Sequence, residues 1–274
     1  MQRDDGGSWE ERFLPRLTSE EIAKLPKDRA LVVLPIGATE QHGSHLPIYT
    51  DTLIGEILLQ AACDRLPEDA EIWFLPPIAF GKSNEHQTRP GTFSLSRATL
   101  EGVVLDLARS VRSSGFRRLL LFTTHGGNQD LLNMMARDIR IETGLMTFRL
   151  NGGDLYKGLS VFSEQEQALG IHGGAVETSL VMSAKPEWVR TDLLPSEFPN
   201  VADGEWFSFQ KKTFAWLIDD VSSCGTCGDA SQASIEHGWT ILEYAARQLS
   251  QVLVAMACFD FPRHKPAVQN LEVP

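Results

Sequence analysis

Side chains that could hold metal ions follow a short apolar run near the start of the chain. Residues 37–51 read Gly-Ala-Thr-Glu-Gln-His-Gly-Ser-His-Leu-Pro-Ile-Tyr-Thr-Asp. In an extended backbone Glu40 and His42 share one face, and a carboxylate beside an imidazole can bind a divalent metal. Asp51 follows at the predicted start of a helix, with Thr50 or Asp51 as its N-cap. Its two carboxylate oxygens could bridge two ions. Alone, a Glu-x-His pair is usually a solvated surface pair.

Two further segments place a histidine beside glycines. Residues 125–128, His-Gly-Gly-Asn, follow another apolar run, and the glycines would leave backbone amides free to contact an oxyanion. His172 precedes Glu177 by five residues, and Glu177 enters an apolar helix, where an unpaired carboxylate would be costly. Taken alone, the first segment is equally consistent with a tight turn, and Glu177 with the exposed first turn of a helix.

Two other motifs remain open. Residues 81–86, Gly-Lys-Ser-Asn-Glu-His, are polar and precede Arg-Pro-Gly-Thr at 89–92, so they could form a pocket wall or a solvated loop. Cys224 and Cys227 form a Cys-x-x-Cys pair. Such a pair could be redox-active, could be half of a zinc site, or could be a glycine turn with incidental thiols.

The elements that position these residues alternate between strands and helices. Apolar runs predict strands at residues 31–36, 71–75, 117–122 and 146–150. Helical spacing of apolar residues predicts helices at 52–66, 96–113, 129–141, 175–184 and 231–256. This order predicts an α/β fold, a three-layer sandwich whose central, mainly parallel sheet is flanked by helices, with ligands at the carboxyl ends of the strands. No linker divides the chain, so we expect one domain over residues 1–274, with an irregular excursion at 186–230.

Composition excludes several classes of protein. The chain has 274 residues, 42% of them hydrophobic, which is enough to bury a sizeable core. Its net charge of −11 disfavours binding to nucleic acid or to an anionic membrane. We find no signal peptide and no membrane-spanning run, and four cysteines make no disulfide framework, so a cytoplasmic location is the simplest expectation. No Gly-x-Ser-x-Gly or Gly-x-Gly-x-x-Gly motif indicates a serine hydrolase or a nucleotide-binding fold.

Together the motifs resemble the creatininase family of metal-dependent amidohydrolases. The family pattern Gly-x-x-Glu-Gln-His-Gly-x-His-Leu-Pro-x-x-Thr-Asp matches residues 37–51, and the shorter motifs match residues 81–92, 125–128, 172–179 and 225–229. The resemblance implies a binuclear site that binds two divalent ions. Zn²⁺ and Mn²⁺ are the expected metals, and Fe²⁺ is also suitable. It implies two ligand sets that share Asp51: Glu40, Asp51 and His125 for one ion, and His42, Asp51 and Glu177 for the other.

The resemblance also implies an activity. A hydroxide bridging the metals would hydrolyse a C–N bond of a small cyclic amide or a formamide, with His172 as the general acid for the leaving nitrogen. The residues expected to contact substrate are Ser83, Glu85, His86, Gly126 and Gly127. The resemblance further implies a homo-oligomer, often a hexamer. The same family includes enzymes that act on a peptide or on a cyclic sugar ketone, and a non-catalytic metal-binding protein is the alternative of another class.

The sequence departs from creatininase itself at two places. Creatininase has a glutamate two places after the motif histidine, where this chain has Gly127, so the second ion's carboxylate is expected from Glu177. Creatininase also encloses its substrate with tryptophans in a loop. This chain has no tryptophan between residues 140 and 170, where Tyr156 and Phe162 lie instead. Creatinine is therefore not the expected substrate.

Overall fold

A four-stranded parallel sheet forms the centre of the molecule. The computed structural model describes residues 7–201 and 213–261. The strand order is β2-β1-β3-β4, and a separate antiparallel pair joins β5 to β6. The strands are β1 (Leu31–Ile36), β2 (Ile72–Phe74), β3 (Arg118–Thr123), β4 (Met146–Asn151), β5 (Ser196–Glu197) and β6 (Gly228–Asp229). The four parallel strands are those predicted from the sequence, each within one residue at either end.

Helices cover both faces of this sheet. They are α1 (Gly7–Arg12), α2 (Ser19–Lys24), α3 (Thr50–Cys63), α4 (Arg97–Ser113), α5 (Gln129–Thr143), α6 (Glu164–Leu169), α7 (Ala175–Ala184), α8 (Ile218–Val221) and α9 (Ile235–Cys258). Leu31 and Val33 of β1 face a core shared with α3, α7 and α9, while Val32 and Leu34 face a second core shared with α4 and α5. Because β1 is buried on both faces, its sequence is apolar throughout. The predicted three-layer α/β sandwich is confirmed.

The strand register brings the carboxyl ends of the central strands to one level. Ile36, the last residue of β1, pairs with Thr123, the last residue of β3, and Thr123 pairs with Asn151 of β4. The chain runs from β1 to β2 on one side of the sheet and to β3 on the other side of β1. The loops after β1 and β3 therefore diverge, which leaves a crevice of the kind that binds ligands in open α/β sheets.

The start of α3 differs from the prediction. The helix begins at Thr50, its N-cap residue is Tyr49, and no side chain caps it. Thr50 Oγ1 donates to the Pro47 carbonyl oxygen instead. The expectation that Thr50 or Asp51 caps this helix is wrong, because both residues already lie in its first turn. Asp51 thus keeps its carboxylate free of backbone capping and directs it into the buried interior.

The region predicted as an irregular excursion, residues 186–230, contains short elements in the part that the structure describes. They are β5, α8 and β6, and β6 follows directly after an antiparallel bridge between Cys227 and His172. Residues 202–212, including Trp206, lie outside the described residues. Within residues 7–201 and 213–261, no helix has the length and apolar character that a membrane crossing requires.

Candidate metal centre

Two loops and the start of α3 bring Glu40, Asp51 and His125 together at the carboxyl edge of the sheet. Glu40 follows β1, Asp51 lies in the first turn of α3, and His125 follows β3. His125 Nε2 lies 3.4 Å from Glu40 Oε2, and His125 Nδ1 lies 3.5 Å from Asp51 Oδ2. All three side chains are at most 4% exposed. Their ligand atoms lie within 4.8 Å of one another, a spacing that one cation could bridge.

A second group of ligand atoms shares Asp51. His42 Nε2 lies 3.8 Å from Asp51 Oδ1 and 3.7 Å from Glu177 Oε2. Glu177 lies in the first turn of α7 and accepts a hydrogen bond of 2.6 Å from the Gly173 amide. Asp51 therefore stands between His125 on one side and His42 on the other. Asp51 thus contacts members of both sets that the family resemblance implies, while His42 and Glu177 also lie with His172 in a group whose ligand atoms are within 4.8 Å of one another.

Several buried polar atoms in this centre have no hydrogen-bond partner among the described residues. They are Glu40 Oε2, His42 Nε2 and Asp51 Oδ2. A buried acceptor without a donor costs free energy comparable to a lost hydrogen bond or more, and native proteins rarely keep such atoms. Each of these atoms is a normal ligand for a divalent ion. The residues therefore fit a metal centre better than a closed hydrogen-bond network.

The histidine rings are oriented as metal ligands usually are. His42 Nδ1 lies 3.0 Å from the Glu40 carbonyl oxygen, and His125 Nε2 lies 3.0 Å from the Lys82 carbonyl oxygen. A carbonyl oxygen only accepts, so the contacting nitrogen must carry the proton. The opposite nitrogen, His42 Nε2 or His125 Nδ1, then has a lone pair that faces the carboxylates. A backbone carbonyl that fixes the ring in this way is a common outer partner of a metal-binding histidine.

Burial shifts the proton equilibria of the carboxyl groups strongly. Burial raises the pKa of Glu40, and the neighbouring His125 and His42 oppose that rise. Burial, together with the charges of Glu40, Glu177 and Glu85, raises the pKa of Asp51 well above its usual range. Burial raises the pKa of Glu177 to about 7, against the hydrogen bond from Gly173. Without a cation, these carboxyl groups thus tend to keep their protons.

Burial affects the histidines in the opposite direction. It lowers the pKa of His42 and, more strongly, that of His172, and it lowers the pKa of His86 to about 3. The imidazoles are therefore neutral at physiological pH, which is the form that binds metals. A centre with neutral imidazoles and proton-holding carboxyls carries little charge by itself. Divalent ions would displace the carboxyl protons and supply the missing positive charge.

We expect Glu177→Gln to stabilise the metal-free protein increasingly as the pH rises. The raised pKa of Glu177 means that its contribution to stability is complete below about pH 4.5 and is lost as the pH rises through about 7. Glutamine lacks this ionisation, so the gain in unfolding free energy grows to about 3 kcal/mol above pH 7. Urea unfolding of both proteins with chelator at pH 5 and pH 8 measures it. A difference that does not change with pH would contradict the burial of this carboxyl.

The residues expected to contact substrate surround the centre to different extents. Ser83 is fully buried, and its Oγ lies 3.3 Å from His125 Nε2. His86 is buried, stacks on His172 with ring centroids 4.2 Å apart, and places Nε2 3.5 Å from Glu40 Oε1. Glu85 lies 3.9 Å from His125 Nε2 with 18% of its side chain exposed. Ser83 and His86 thus contact the proposed ligands, while Glu85 lies on the more open side.

The two glycines after His125 differ in their surroundings. A Cβ atom at Gly126 would meet only Gln129 Nε2, at 4.0 Å. A Cβ atom at Gly127 would overlap the Glu85 carboxylate and lie 2.5 Å from His125 Nε2. The Glu85 carboxylate therefore occupies the space beside Gly127, the position where creatininase has a glutamate.

Two important residues were not predicted from the sequence. Glu166 is 2% exposed, and its carboxylate accepts hydrogen bonds from the amides of Ala175 and Asp229. It thereby fixes the start of α7, the helix that carries Glu177. Gln41 is also buried and contacts His86 and His172 with its side-chain nitrogen. Gln41 lies in the first motif, but its amide is not a typical metal ligand, and Glu166 lies in none of the motifs.

Tyr156 lies among the acidic groups of the centre. It follows β4 in a short 3₁₀ turn at Gly152–Tyr156. Burial and the charges of Glu177 and Asp51 raise the pKa of its hydroxyl, so the hydroxyl keeps its proton at neutral pH and can donate a hydrogen bond. Residues 140–170 contain no tryptophan, and in this range Tyr156 is a side chain that lies close to the centre.

The Cys-x-x-Cys pair is linked to the centre through the backbone. Cys227 is buried, and burial raises the pKa of its thiol to about 12, while Cys224 is exposed. The Cys227 amide donates to the His172 carbonyl oxygen, and the His172 amide donates to the Cys227 carbonyl oxygen. A thiol with a raised pKa is a poor nucleophile and a poor metal ligand at neutral pH. Cys227 instead contributes its backbone hydrogen bonds, which hold the His172 backbone in place.

Known proteins share this sequence pattern. The family model described as creatinine amidohydrolase matches residues 15–253. The mycofactocin precursor peptide peptidase of Mycobacterium ulcerans is 34% identical over 189 residues, 66% of this chain and 69% of that protein. The creatinine amidohydrolase of Pseudomonas putida is 29% identical over 263 residues, 88% of this chain and 95% of that protein. The 3-dehydro-scyllo-inosose hydrolase of Thermotoga maritima is 27% identical over 116 residues, 42% of this chain and 36% of that protein.

Solved structures share the fold. A candidate creatinine amidohydrolase from Bacteroides fragilis superposes with a TM-score of 0.76 at 26% identity, covering 92% of this chain and 99% of that one. A manganese form of creatininase superposes with a TM-score of 0.72 at 25% identity, covering 88% of this chain and 97% of that one. A zinc–zinc form of a creatininase mutant is also among the similar structures. Metal-containing relatives thus exist for the same architecture.

Proposed function

Since this chain belongs to the creatininase family of amidohydrolases, we propose that it uses two divalent ions to hydrolyse a C–N bond of a small cyclic amide or a formamide. The observation that carries this proposal is the convergence of three unpartnered, buried ligand atoms, Glu40 Oε2, His42 Nε2 and Asp51 Oδ2, at the carboxyl edge of the sheet. Zn²⁺ and Mn²⁺ both suit mixed imidazole and carboxylate ligands.

The ligand assignment follows the two groups of contacts. Glu40, Asp51 and His125 would hold one ion. His42, Asp51 and Glu177 would hold the other. Three carboxylates offset three of the four charges of two divalent ions, which leaves the centre with one net positive charge. Ions bound there would acidify a water molecule and polarise an amide carbonyl group.

His172 is the proposed proton carrier. Its Nε2 lies 2.8 Å from the Gln41 carbonyl oxygen and must donate there, so Nδ1 has a lone pair, 3.6 Å from Glu40 Oε1. Nδ1 can take the proton of the attacking water and return it to the leaving nitrogen. The lowered pKa of His172 makes its imidazolium a stronger acid for the leaving nitrogen and its imidazole a weaker base toward water. The Gly126 and Gly127 amides lie beside His125 and would donate to the developing oxyanion.

A peptide is the second candidate substrate. The mycofactocin precursor peptide peptidases are relatives at 34% and 30% identity, and the second covers 81% of this chain and 84% of its own length. The chemistry at the ions would be the same, because a peptide bond is also an amide. The two candidates differ in what must fit around the centre, and Tyr156 and Glu85 are the side chains that a substrate would meet there.

Elemental analysis followed by a substrate screen tests the proposed function. We expect about two equivalents of Zn²⁺, Mn²⁺ or Fe²⁺ per chain, and turnover of at least one cyclic amide, formamide or peptide by the protein in its native metal form. Chelator should abolish turnover, whereas alkylation of Cys224 should not. Metal content without turnover on all three substrate classes would instead favour a non-catalytic metal-binding protein.

His172→Ala should lower turnover while the metals remain. A positioned acid or base typically contributes about 10²–10⁴-fold to a rate, so we expect a loss of that size in kcat. Metal content should stay at the native value, because neither proposed ligand set includes His172; loss of metal would instead make His172 a ligand beside His42 and Glu177, whose ligand atoms lie within 4.8 Å of its own. Steady-state kinetics and elemental analysis of the same sample check both parts, with His237→Ala as a histidine control outside the centre. Full turnover in His172→Ala would refute the proton-carrier role.

A further inference from the structure

We propose that Gln41 is a positioning residue that fixes the proton of His86 on Nε2, so that this proton faces the proposed ligand Glu40 and His86 does not itself bind a metal. This inference deepens the proposed function and rests on Glu40 as a ligand. It concerns a group of three buried side chains, Glu40, His86 and His172, whose ligand atoms lie within 4.8 Å of one another. By spacing alone, that group could hold a further ion.

The side-chain amide of Gln41 has only one possible orientation. The Gly43 amide donates to Gln41 Oε1 at 3.0 Å, and Gln41 Nε2 donates to the Gly225 carbonyl oxygen at 2.8 Å. A flipped amide would place two donors together at Gly43 and two acceptors together at Gly225. One hydrogen of Gln41 Nε2 is thus committed to Gly225, and one remains.

The remaining hydrogen has two ring nitrogens within reach. Gln41 Nε2 lies 2.9 Å from His86 Nδ1 and 3.1 Å from His172 Nε2. His172 Nε2 already donates to the Gln41 carbonyl oxygen at 2.8 Å, so it carries a proton and cannot accept another. His86 Nδ1 must therefore be the acceptor. A neutral imidazole that accepts at Nδ1 carries its proton at Nε2.

This proton faces the metal centre. His86 Nε2 lies 3.5 Å from Glu40 Oε1, while the other oxygen of Glu40 lies 3.4 Å from His125. His86 is 3% exposed, so no bulk water competes for this proton. A protonated nitrogen has no lone pair for a cation. Without His86, that group keeps only two possible ligand atoms, Glu40 Oε1 and His172 Nδ1, so the centre should hold two ions and not three.

Nitrogen NMR of the metal-free protein tests the tautomer directly. With ¹⁵N-labelled histidine, long-range proton–nitrogen spectra identify which ring nitrogen carries hydrogen. We expect protonated Nε2 in both His86 and His172 of the native protein. In Gln41→Met, His86 should lose this preference and populate the Nδ1-protonated form. His172 should stay unchanged, because its acceptor is the backbone carbonyl of residue 41, which the substitution keeps.

His172 is thus an internal control, and Gln60→Met on the exposed side of α3 is the external one. Zinc titration gives a second readout: Gln41→Met should bind zinc about 10–100-fold more weakly, as other outer-partner changes do.

Native protein with His86 protonated on Nδ1, or an unchanged His86 in Gln41→Met, would overturn the proposal. So would a third tightly bound zinc that His86→Ala removes. If Gln41→Met fails to fold, the native spectrum and zinc count still decide. A native protein without metal would contradict the proposed function but not the tautomer.

Discussion

Asp51→Asn is expected to empty both metal positions together and to reduce hydrolysis by more than about 100-fold. Asp51 is the residue that both ligand groups share, with one oxygen near His125 and the other near His42. Loss of an outer partner alone costs about 10–100-fold in metal affinity or activity, so loss of the shared ligand should cost more. The fold should persist, because Asp51 caps no helix and asparagine has nearly the same volume.

Elemental analysis, steady-state kinetics and far-UV circular dichroism of Asp51→Asn measure these three effects. Asp69→Asn, an exposed aspartate in the turn before β2, is the matched control and should keep both ions. Glu177→Gln offers an informative contrast, since it should remove one ion and leave the other. Two ions and native turnover in Asp51→Asn would refute the shared position of this carboxylate.

Gly127→Ala is expected to remove the ion held by His125 and to abolish most activity, although it adds a single methyl group. The new Cβ would overlap the Glu85 carboxylate and lie 2.5 Å from His125 Nε2 and 2.6 Å from the Lys82 carbonyl oxygen. A backbone carbonyl cannot move aside as a flexible side-chain end can. The ring of His125 must therefore shift, and its hydrogen bond to Lys82 must lengthen.

Gly126→Ala is the matched control for Gly127→Ala, because the two glycines are adjacent and neither has a positive φ angle. A Cβ at 126 has room, and the backbone amide remains, so metal content should stay at the native value. Metal content and thermal unfolding of the two variants decide the prediction. Equal metal content in both variants would mean that the groups around Gly127 move enough to admit a Cβ atom, and it would contradict the prediction. A glutamate at 127 should fail for the same steric reason as alanine.

The sequence predicted the sheet, and it placed candidate metal ligands at the edge of that sheet. Runs such as Leu31–Ile36 are apolar at every position, which only a strand buried on both faces requires. Motif residues that follow such runs must lie at one edge of a parallel sheet, and His125 and Glu40 do lie within contact of each other. The matches to the family pattern at residues 37–51 and 172–179 implied Asp51 and Glu177 as ligands, and for Glu177 the spacing alone left the first turn of a helix equally open.

Other features depend on contacts that no local pattern records. The start of α3 was misplaced because Tyr49, which lacks a capping side chain, precedes the helix. Glu166 is a buried carboxylate in a short helix with an ordinary polar sequence, and only the packing of Ala175 and Asp229 against it shows its purpose. The role of Gln41 likewise depends on Gly225, which lies 184 residues away along the chain.

The level register of β1 and β3 has a consequence for how the enzyme is made. Glu40, His125 and Glu177 are 85 and 52 residues apart in sequence, and only the finished pairing of Ile36 with Thr123 aligns the first two. Contacts between such distant segments form late, since loop closure must come first. The set of Glu40, Asp51 and His125 therefore waits for the sheet, and the set of His42, Asp51 and Glu177 waits also for α7. Binding of the proposed ions would then be left to the folded protein, which could select among the ions that the cell supplies.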